Sequence, residues 1–204
     1  CDIKGKEVIL PSLSFVSTAH AIMYNGGIPV FVDVNPHTLC IDPEEIKKKI
    51  SKKTRCIIPV HFGGMPADIK KIQKLSNSNI MIIEDAAHAC GSEFNGKKIG
   101  SHGDFVCFSF HPVKNLAMPT GGLISINNHN YKKITEDLKS KRWCGISNRK
   151  YADYDVDKIG WNFYMNELSA AIGLVQLQKI KKMNNRRQSI AKIYDKELNV
   201  SKKI

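Results

Sequence analysis

The chain has no Cys-x-x-Cys pair, no Gly-x-Gly-x-x-Gly, no P-loop, no Gly-x-Ser-x-Gly and no His-Glu-x-x-His. These absences remove the commonest zinc-ribbon, dinucleotide-binding, nucleotide-triphosphatase, serine-hydrolase and zinc-protease readings. No metal is expected. No apolar run approaches the roughly 18 residues that a membrane helix needs, so no membrane association is expected either. The formal net charge is +12, from 31 Lys+Arg against 19 Asp+Glu. The basic residues are scattered in pairs and triplets, as at Lys47-Lys48-Lys49 and Arg186-Arg187. They form no long block interleaved with aromatics, and no zinc-finger or RNA-binding signature occurs. A nucleic-acid partner is therefore not expected. A field that attracts phosphorylated small molecules fits the same charge.

What is present is ordinary globular material. Apolar residues make up 42% of the 204 and charged residues 25%, enough for one sizeable core. Six cysteines, Cys1, Cys40, Cys56, Cys90, Cys107 and Cys144, show no disulfide or zinc spacing. Cys56 and Cys107 fall inside apolar runs and read as small buried hydrophobes. A reducing, cytoplasmic setting fits this usage. The chain opens on Cys1-Asp2-Ile3 rather than Met, and reads as the middle of something longer.

Short apolar runs alternate with helix-period segments. Strands are expected at Glu7–Leu10, Pro29–Val34, Arg55–Val60, Ile80–Asp85, Asp104–Ser109 and Gly122–Ile126. Helices are expected over Ser14–Tyr24 (stopped by Asn25-Gly26-Gly27), from Asp42-Pro43-Glu44-Glu45, and over Pro66–Leu75. Asp42 is an N-cap aspartate followed by proline and two acids, a strong helix start. Beyond Asn128 the chain is expected to be mostly helical, with a loop near Gly145–Gly160. A long helix then runs from about Met165 into Arg186-Arg187. Such alternation predicts an α/β fold: three layers, with a mainly parallel mixed sheet flanked by helices.

The chemistry-bearing residues collect at strand ends, where α/β proteins place their sites. Lys114 follows the fifth strand, in Phe108-Ser109-Phe110-His111-Pro112-Val113-Lys114-Asn115. A partly desolvated lysine there can form a Schiff base with a carbonyl. Asp85 ends the fourth strand beside Ala86-Ala87, small residues that let a flat ligand approach. Its carboxylate can pair with a cation such as a protonated pyridine nitrogen, or simply cap the following turn. His88, Ser109 and Phe15 stand near other strand ends. Each alone reads more readily as structural: His88 as a hydrogen-bonded structural histidine, Phe15 as a core aromatic, and Ser109 as a common strand-end serine. Gly121-Gly122 is either a tight turn or a close backbone approach. His61-Phe62-Gly63-Gly64 is expected to line the same crevice, with no readable role. A lysine, a carboxylate, a histidine, a serine and an aromatic at the strand ends of one domain form the equipment for pyridoxal 5'-phosphate.

At this point the sequence resembles the DegT/DnrJ/StrS aminotransferases, sugar aminotransferases of pyridoxal-phosphate fold type I. The matching segments run from Glu7-Val8-Ile9-Leu10-Pro11-Ser12-Leu13-Ser14-Phe15 through Ile83-Glu84-Asp85-Ala86-Ala87-His88 to Phe108–Asn115 and Gly160-Trp161-Asn162-Phe163. The resemblance implies that Lys114 bonds to the cofactor and shuttles the proton. It implies that Asp85 pairs with the ring nitrogen, Phe15 stacks on the ring, His88 contacts its phenolic oxygen or edge, and Ser109 binds the phosphate. Asn162 would reach the cofactor of a neighbouring subunit, implying a homodimer with shared sites. Many family members have Gly-Glu-Gly-Gly where this chain has Met118-Pro119-Thr120-Gly121-Gly122, and Arg where Tyr164 stands. Members also carry a Gly/Thr phosphate-binding segment ahead of the region where this chain starts.

Residues 1–160 are thus expected to be an incomplete cofactor-binding large domain, truncated at both ends. Residues 161–204 are expected to be a long helix leading towards a missing small C-terminal domain. The implied function is transfer of an amino group from an amino acid, probable donor glutamate, to a nucleotide-linked keto-sugar. The alternative is a catalytically impaired or regulatory homologue that keeps the fold without turnover. A sugar-dehydratase variant carries histidine in place of the lysine, and Lys114 opposes it.

Overall fold

The computed structural model describes residues 2–198. Cys1 and residues 199–204, which the sequence analysis counts with the opening stretch and the final helix, lie outside them. Six strands form one sheet in the order β2-β1-β3-β4-β7-β8. They are β1 (Glu7–Pro11), β2 (Ile28–Val32), β3 (Thr54–Ile57), β4 (Met81–Asp85), β7 (Phe105–Ser109) and β8 (Gly122–Ile126). All neighbours run parallel except β7 and β8, which pair antiparallel with Ser109 opposite Gly122. Two short strands, β5 (Glu93–Phe94) and β6 (Lys97–Lys98), make a small separate hairpin.

Alternation along the strands sends side chains to two faces. Ile9, Ile57 and Ile82 pack on one face with Ile46 of α2 (Pro43–Lys49) and with Ile69 and Ile72 of α3 (Ile69–Leu75). Val8, Leu10 and Cys56 pack on the other with Ile22 of α1 (Val16–Tyr24). The expected three-layer, mainly parallel mixed sheet is therefore what forms.

Caps set the helix limits. Asp42 accepts from the Glu44 amide at 2.9 Å. Asp68 accepts from the Lys71 amide at 3.1 Å, so α3 starts at Ile69 and not at Pro66. At the end of α1, the Gly26 amide donates to Met23 and the Gly27 amide to Ile22, with Gly26 at φ +69°. This is the paired closure that a left-handed glycine permits. Proline 59 cuts the third strand short at Ile57, and Val60 rejoins the sheet only as a bridge to Asp85.

The expected loop at Gly145–Gly160 is partly a hairpin. β9 (Ile146–Lys150) and β10 (Asp153–Val156) pair antiparallel, after α4 (Tyr131–Arg142). β9 is polar and lacks an apolar alternation, and the short alternation Asp-Tyr-Asp-Val of β10 is exposed throughout, so local pattern gives little sign of the hairpin. α5 begins at Glu167, where Asn166 accepts from the Ser169 amide at 2.8 Å. It continues past Arg187 to Leu198, with no Pro inside it and no Gly beyond the buried Gly173. Among the described residues no helix is long and apolar enough to cross a membrane.

Candidate active site

Because β1, β3, β4 and β7 are parallel, their C-terminal ends lie along one edge of the sheet. Asp85 is the last residue of β4 and Ser109 the last of β7. Phe15 lies just beyond β1, at the N-cap of α1, and His88 follows Asp85 in the next turn. Lys114 occupies the turn after β7, where its amide donates to the His111 carbonyl at 2.8 Å. β8 runs the other way, so Gly121-Gly122 starts at this same edge. A Cβ at Gly122 would stand 2.8 Å from the Phe108 carbonyl oxygen, so the pair marks a close backbone approach.

Asp85 is half-buried, and both of its oxygens are engaged. The Thr18 hydroxyl donates to Oδ2 at 2.8 Å and the Ala87 amide to Oδ1 at 3.1 Å. Ser14 in turn donates to the Thr18 hydroxyl at 3.0 Å. Among the described residues Asp85 has no ion-pair partner, and the half-buried Lys114 amine has neither ion pair nor hydrogen bond. Cys107 lies beside Asp85 on β7, and burial pushes its thiol up to about 11. The next residue after the lysine, Asn115, donates to the Cys90 carbonyl at 2.6 Å. Asn184 of α5 donates to the same oxygen at 3.0 Å. The lysine turn is thereby tied to both the β4 exit loop and α5.

Partial burial lowers the titration of His88 below the usual 6.5; the Lys114 charge lowers it further, while Asp85 acts in the opposite sense. The Gly63 amide donates to His88 Nδ1 at 3.3 Å, so the neutral ring carries its proton on Nε2. The signs can be checked by NMR titration of cofactor-free protein. Lys114→Met removes a like charge, and the His88 midpoint is expected to rise. Asp85→Asn removes an opposite charge, and the midpoint is expected to fall. Unmoved midpoints in both variants would show that the three groups do not share one site.

Phe15 is 73% exposed, leaving its ring open to a ligand. The Ser109 hydroxyl accepts from the His111 amide at 3.3 Å and keeps its own proton to donate. Asn162 is exposed and pairs with Trp143 in an isolated bridge; it makes no hydrogen bond to the strand-end group. Tyr164, where many relatives carry arginine, packs its ring against Trp143 at 6.1 Å.

The expectation for His61–Gly64 needs division. Phe62 meets the His88 ring edge-on at 6.2 Å and Gly63 bonds to it, so both belong to the crevice wall. His61 does not. Its ring is fully buried, accepts from the Ala67 amide on Nδ1 at 3.0 Å, and faces Glu84 Oε2 from Nε2 at 2.7 Å. An amide has only a proton to offer, so Nδ1 is the acceptor and Nε2 the donor. Glu84 Oε1 also accepts from the Gly103 amide. The pair is internal structure, one residue away from Asp85. The sequence analysis missed Thr18 and Ser14; the only available signal was a hydroxyl on the inner face of a helix packed over the end of β4.

An uncharacterized protein of Methanocaldococcus jannaschii is 39% identical, over 96% of this chain and 53% of that protein. The Helicobacter pylori enzyme PseC, an aminotransferase involved in the biosynthesis of pseudoaminic acid, superposes with a TM-score of 0.89 at 31% identity. That match covers 95% of this chain and 51% of PseC. A Streptococcus pneumoniae structure in its PLP form gives a TM-score of 0.88 at 28% identity, over 96% of this chain and 54% of that one. The chain thus spans about half the length of the relatives it matches. The profile of the DegT/DnrJ/EryC1/StrS aminotransferases matches residues 1–204. The chain belongs to the DegT/DnrJ/EryC1/StrS aminotransferase family.

Proposed function

We propose that this chain is the cofactor-binding part, residues 1–160 with the long helix of 161–204, of a pyridoxal 5'-phosphate-dependent aminotransferase. It moves an amino group from an amino acid, glutamate, to a nucleotide-linked keto-sugar. The observation that carries the reading is the half-buried Lys114, its amine without a partner among the described residues, within the field of His88 and on the sheet edge that ends in Asp85. The donor set fits the cofactor. Among the described residues Asp85 lacks a cation, the small Ala87 leaves room for a flat ring, and Phe15 offers an exposed aromatic face. When bound, pyridoxal 5'-phosphate supplies an electron-withdrawing pyridine ring that makes the proton on the amino-bearing carbon removable.

The chain's own residues do the rest. Lys114 would hold the cofactor through its amine, and the same amine would move the proton to and from the amino-bearing carbon. Asp85 accepts the ring N–H and keeps that nitrogen protonated. His88, held neutral, donates from Nε2 to the cofactor's phenolic oxygen. Phe15 covers one ring face, and the Ser109 hydroxyl donates to the phosphate. The exposed Asn162 reaches the site of a second subunit, so the working unit is a homodimer in the cytoplasm. The keto-sugar class rests on the family and on PseC, whose activity lies in the biosynthesis of pseudoaminic acid.

The test is chemical trapping. The full-length protein is loaded with pyridoxal 5'-phosphate, reduced with borohydride and digested. The pyridoxyl mass is expected on the peptide that contains Lys114. Its appearance on any other lysine, or no adduct at all, sinks the reading.

A further inference from the structure

We infer that Thr18 is a positioning residue for Asp85, fixing the orientation of its carboxylate so that it pairs with a protonated heteroaromatic nitrogen. The inference rests on the cofactor reading above and extends it to a residue that this reading does not use.

Thr18 lies on α1 and is only 6% exposed, so its hydroxyl is a buried polar group that must be satisfied. A hydroxyl has one proton to give. Ser14 donates into Thr18 Oγ1 at 3.0 Å, and Thr18 Oγ1 stands 2.8 Å from Asp85 Oδ2. Asp85 Oδ2 can only accept when ionised, so the Thr18 proton points at it. The Ala87 amide holds the other oxygen at 3.1 Å. One donor on each oxygen leaves the carboxylate no freedom to rotate. Each oxygen still keeps a lone pair for a ligand. Donors to the ionised form favour that form, and the Ser14 donation polarises the Thr18 hydroxyl further. The Thr18–Asp85 bond also joins α1, whose N-cap is Phe15, to the end of β4.

The test compares two ligands on three proteins. Pyridoxal 5'-phosphate and its 1-deaza analogue, in which a C–H replaces the ring nitrogen, are titrated against the wild type, Thr18→Val and Thr18→Ser. Thr18→Val keeps the shape and removes the donor. It is expected to weaken pyridoxal 5'-phosphate binding about tenfold, the low end for a hydrogen bond to a charged group. It should change affinity for the deaza analogue less than about twofold, because the effect runs through the ring nitrogen. Thr18→Ser restores the hydroxyl and should restore the affinity. Equal weakening of both ligands would mark a structural role and overturn the inference, as would no weakening of either. A wild type that fails to bind pyridoxal 5'-phosphate would overturn the cofactor reading and the inference with it. That failure is distinguishable, since it shows before any substitution is made.

Discussion

Replacing Lys114 by alanine in the full-length protein is expected to lower the amino-transfer rate by at least about 1,000-fold. General acid–base catalysis alone contributes about 100- to 10,000-fold, and the variant loses the covalent role as well. Lys114→Arg should be nearly as inactive. Arginine keeps the positive charge and the length, but its guanidinium never releases a proton near neutral pH. The comparison therefore separates charge from proton transfer. If arginine retained a tenth of the activity, Lys114 would be a binding cation and the assigned role would fail. The measurement is single-turnover formation of the aminated product with saturating cofactor, so that weakened loading does not pass for slowed chemistry. Neither substitution should disturb folding, because the side-chain amine has no protein partner among the described residues.

The opposite pattern is expected at Glu84, one residue earlier. Glu84 and His61 are both fully buried. The carboxylate receives the His61 Nε2 proton and the Gly103 amide, and a Cβ on Gly103 would stand 2.8 Å from Oε1. Glu84→Ala leaves an imidazole N–H and a backbone N–H buried without an acceptor, beside a new void. Each orphaned donor costs about 1–3 kcal/mol, and the void adds to that. Domains hold only about 5–15 kcal/mol in total, so the variant is expected to unfold at markedly lower urea or not to accumulate at all. Glu84→Gln keeps the volume and one acceptor and should lose about half as much. A shift in unfolding free energy below about 1 kcal/mol for Glu84→Ala would show that the pair is not a stabilising element. Between them, Lys114 and Glu84 divide the edge of the sheet into a group that is kept free and a group that is locked.

Local pattern made much of this legible. Continuous apolar runs such as Met81–Ile83 and Val106–Phe108 announce strands buried on both faces, and alternation with helices implies parallel crossovers. Parallel strands then force Phe15, Asp85, Ser109 and Lys114 to one edge, since their order along the chain places each after a strand. The hairpin β9–β10 is hard to read because Ser147-Asn148-Arg149 shows no apolar alternation and β10 is only four exposed residues; pairing between the strands, not burial, makes them extended. The two histidines were the sharper failure. His61 and His88 both follow strands and look alike in sequence. One turns inward to Glu84 and the Ala67 amide and the other meets Gly63 at the crevice, a difference set by contacts distant in sequence.

What the sequence determined by itself was the layered α/β fold, the family, and the list of reactive groups at strand ends. These follow from residue order and short-range periodicity, which chain connectivity alone carries into space. What only the tertiary structure decided was how those groups are held. The Thr18 hydroxyl reaches Asp85 across 67 residues of sequence, Asn184 reaches the Cys90 carbonyl across 94, and His61 reaches Glu84 across 23. No local signal encodes such pairs, because each is fixed by the packing of one helix or strand against another. They separate a carboxylate poised for a ligand from one buried for stability, although the two stand side by side at Glu84 and Asp85.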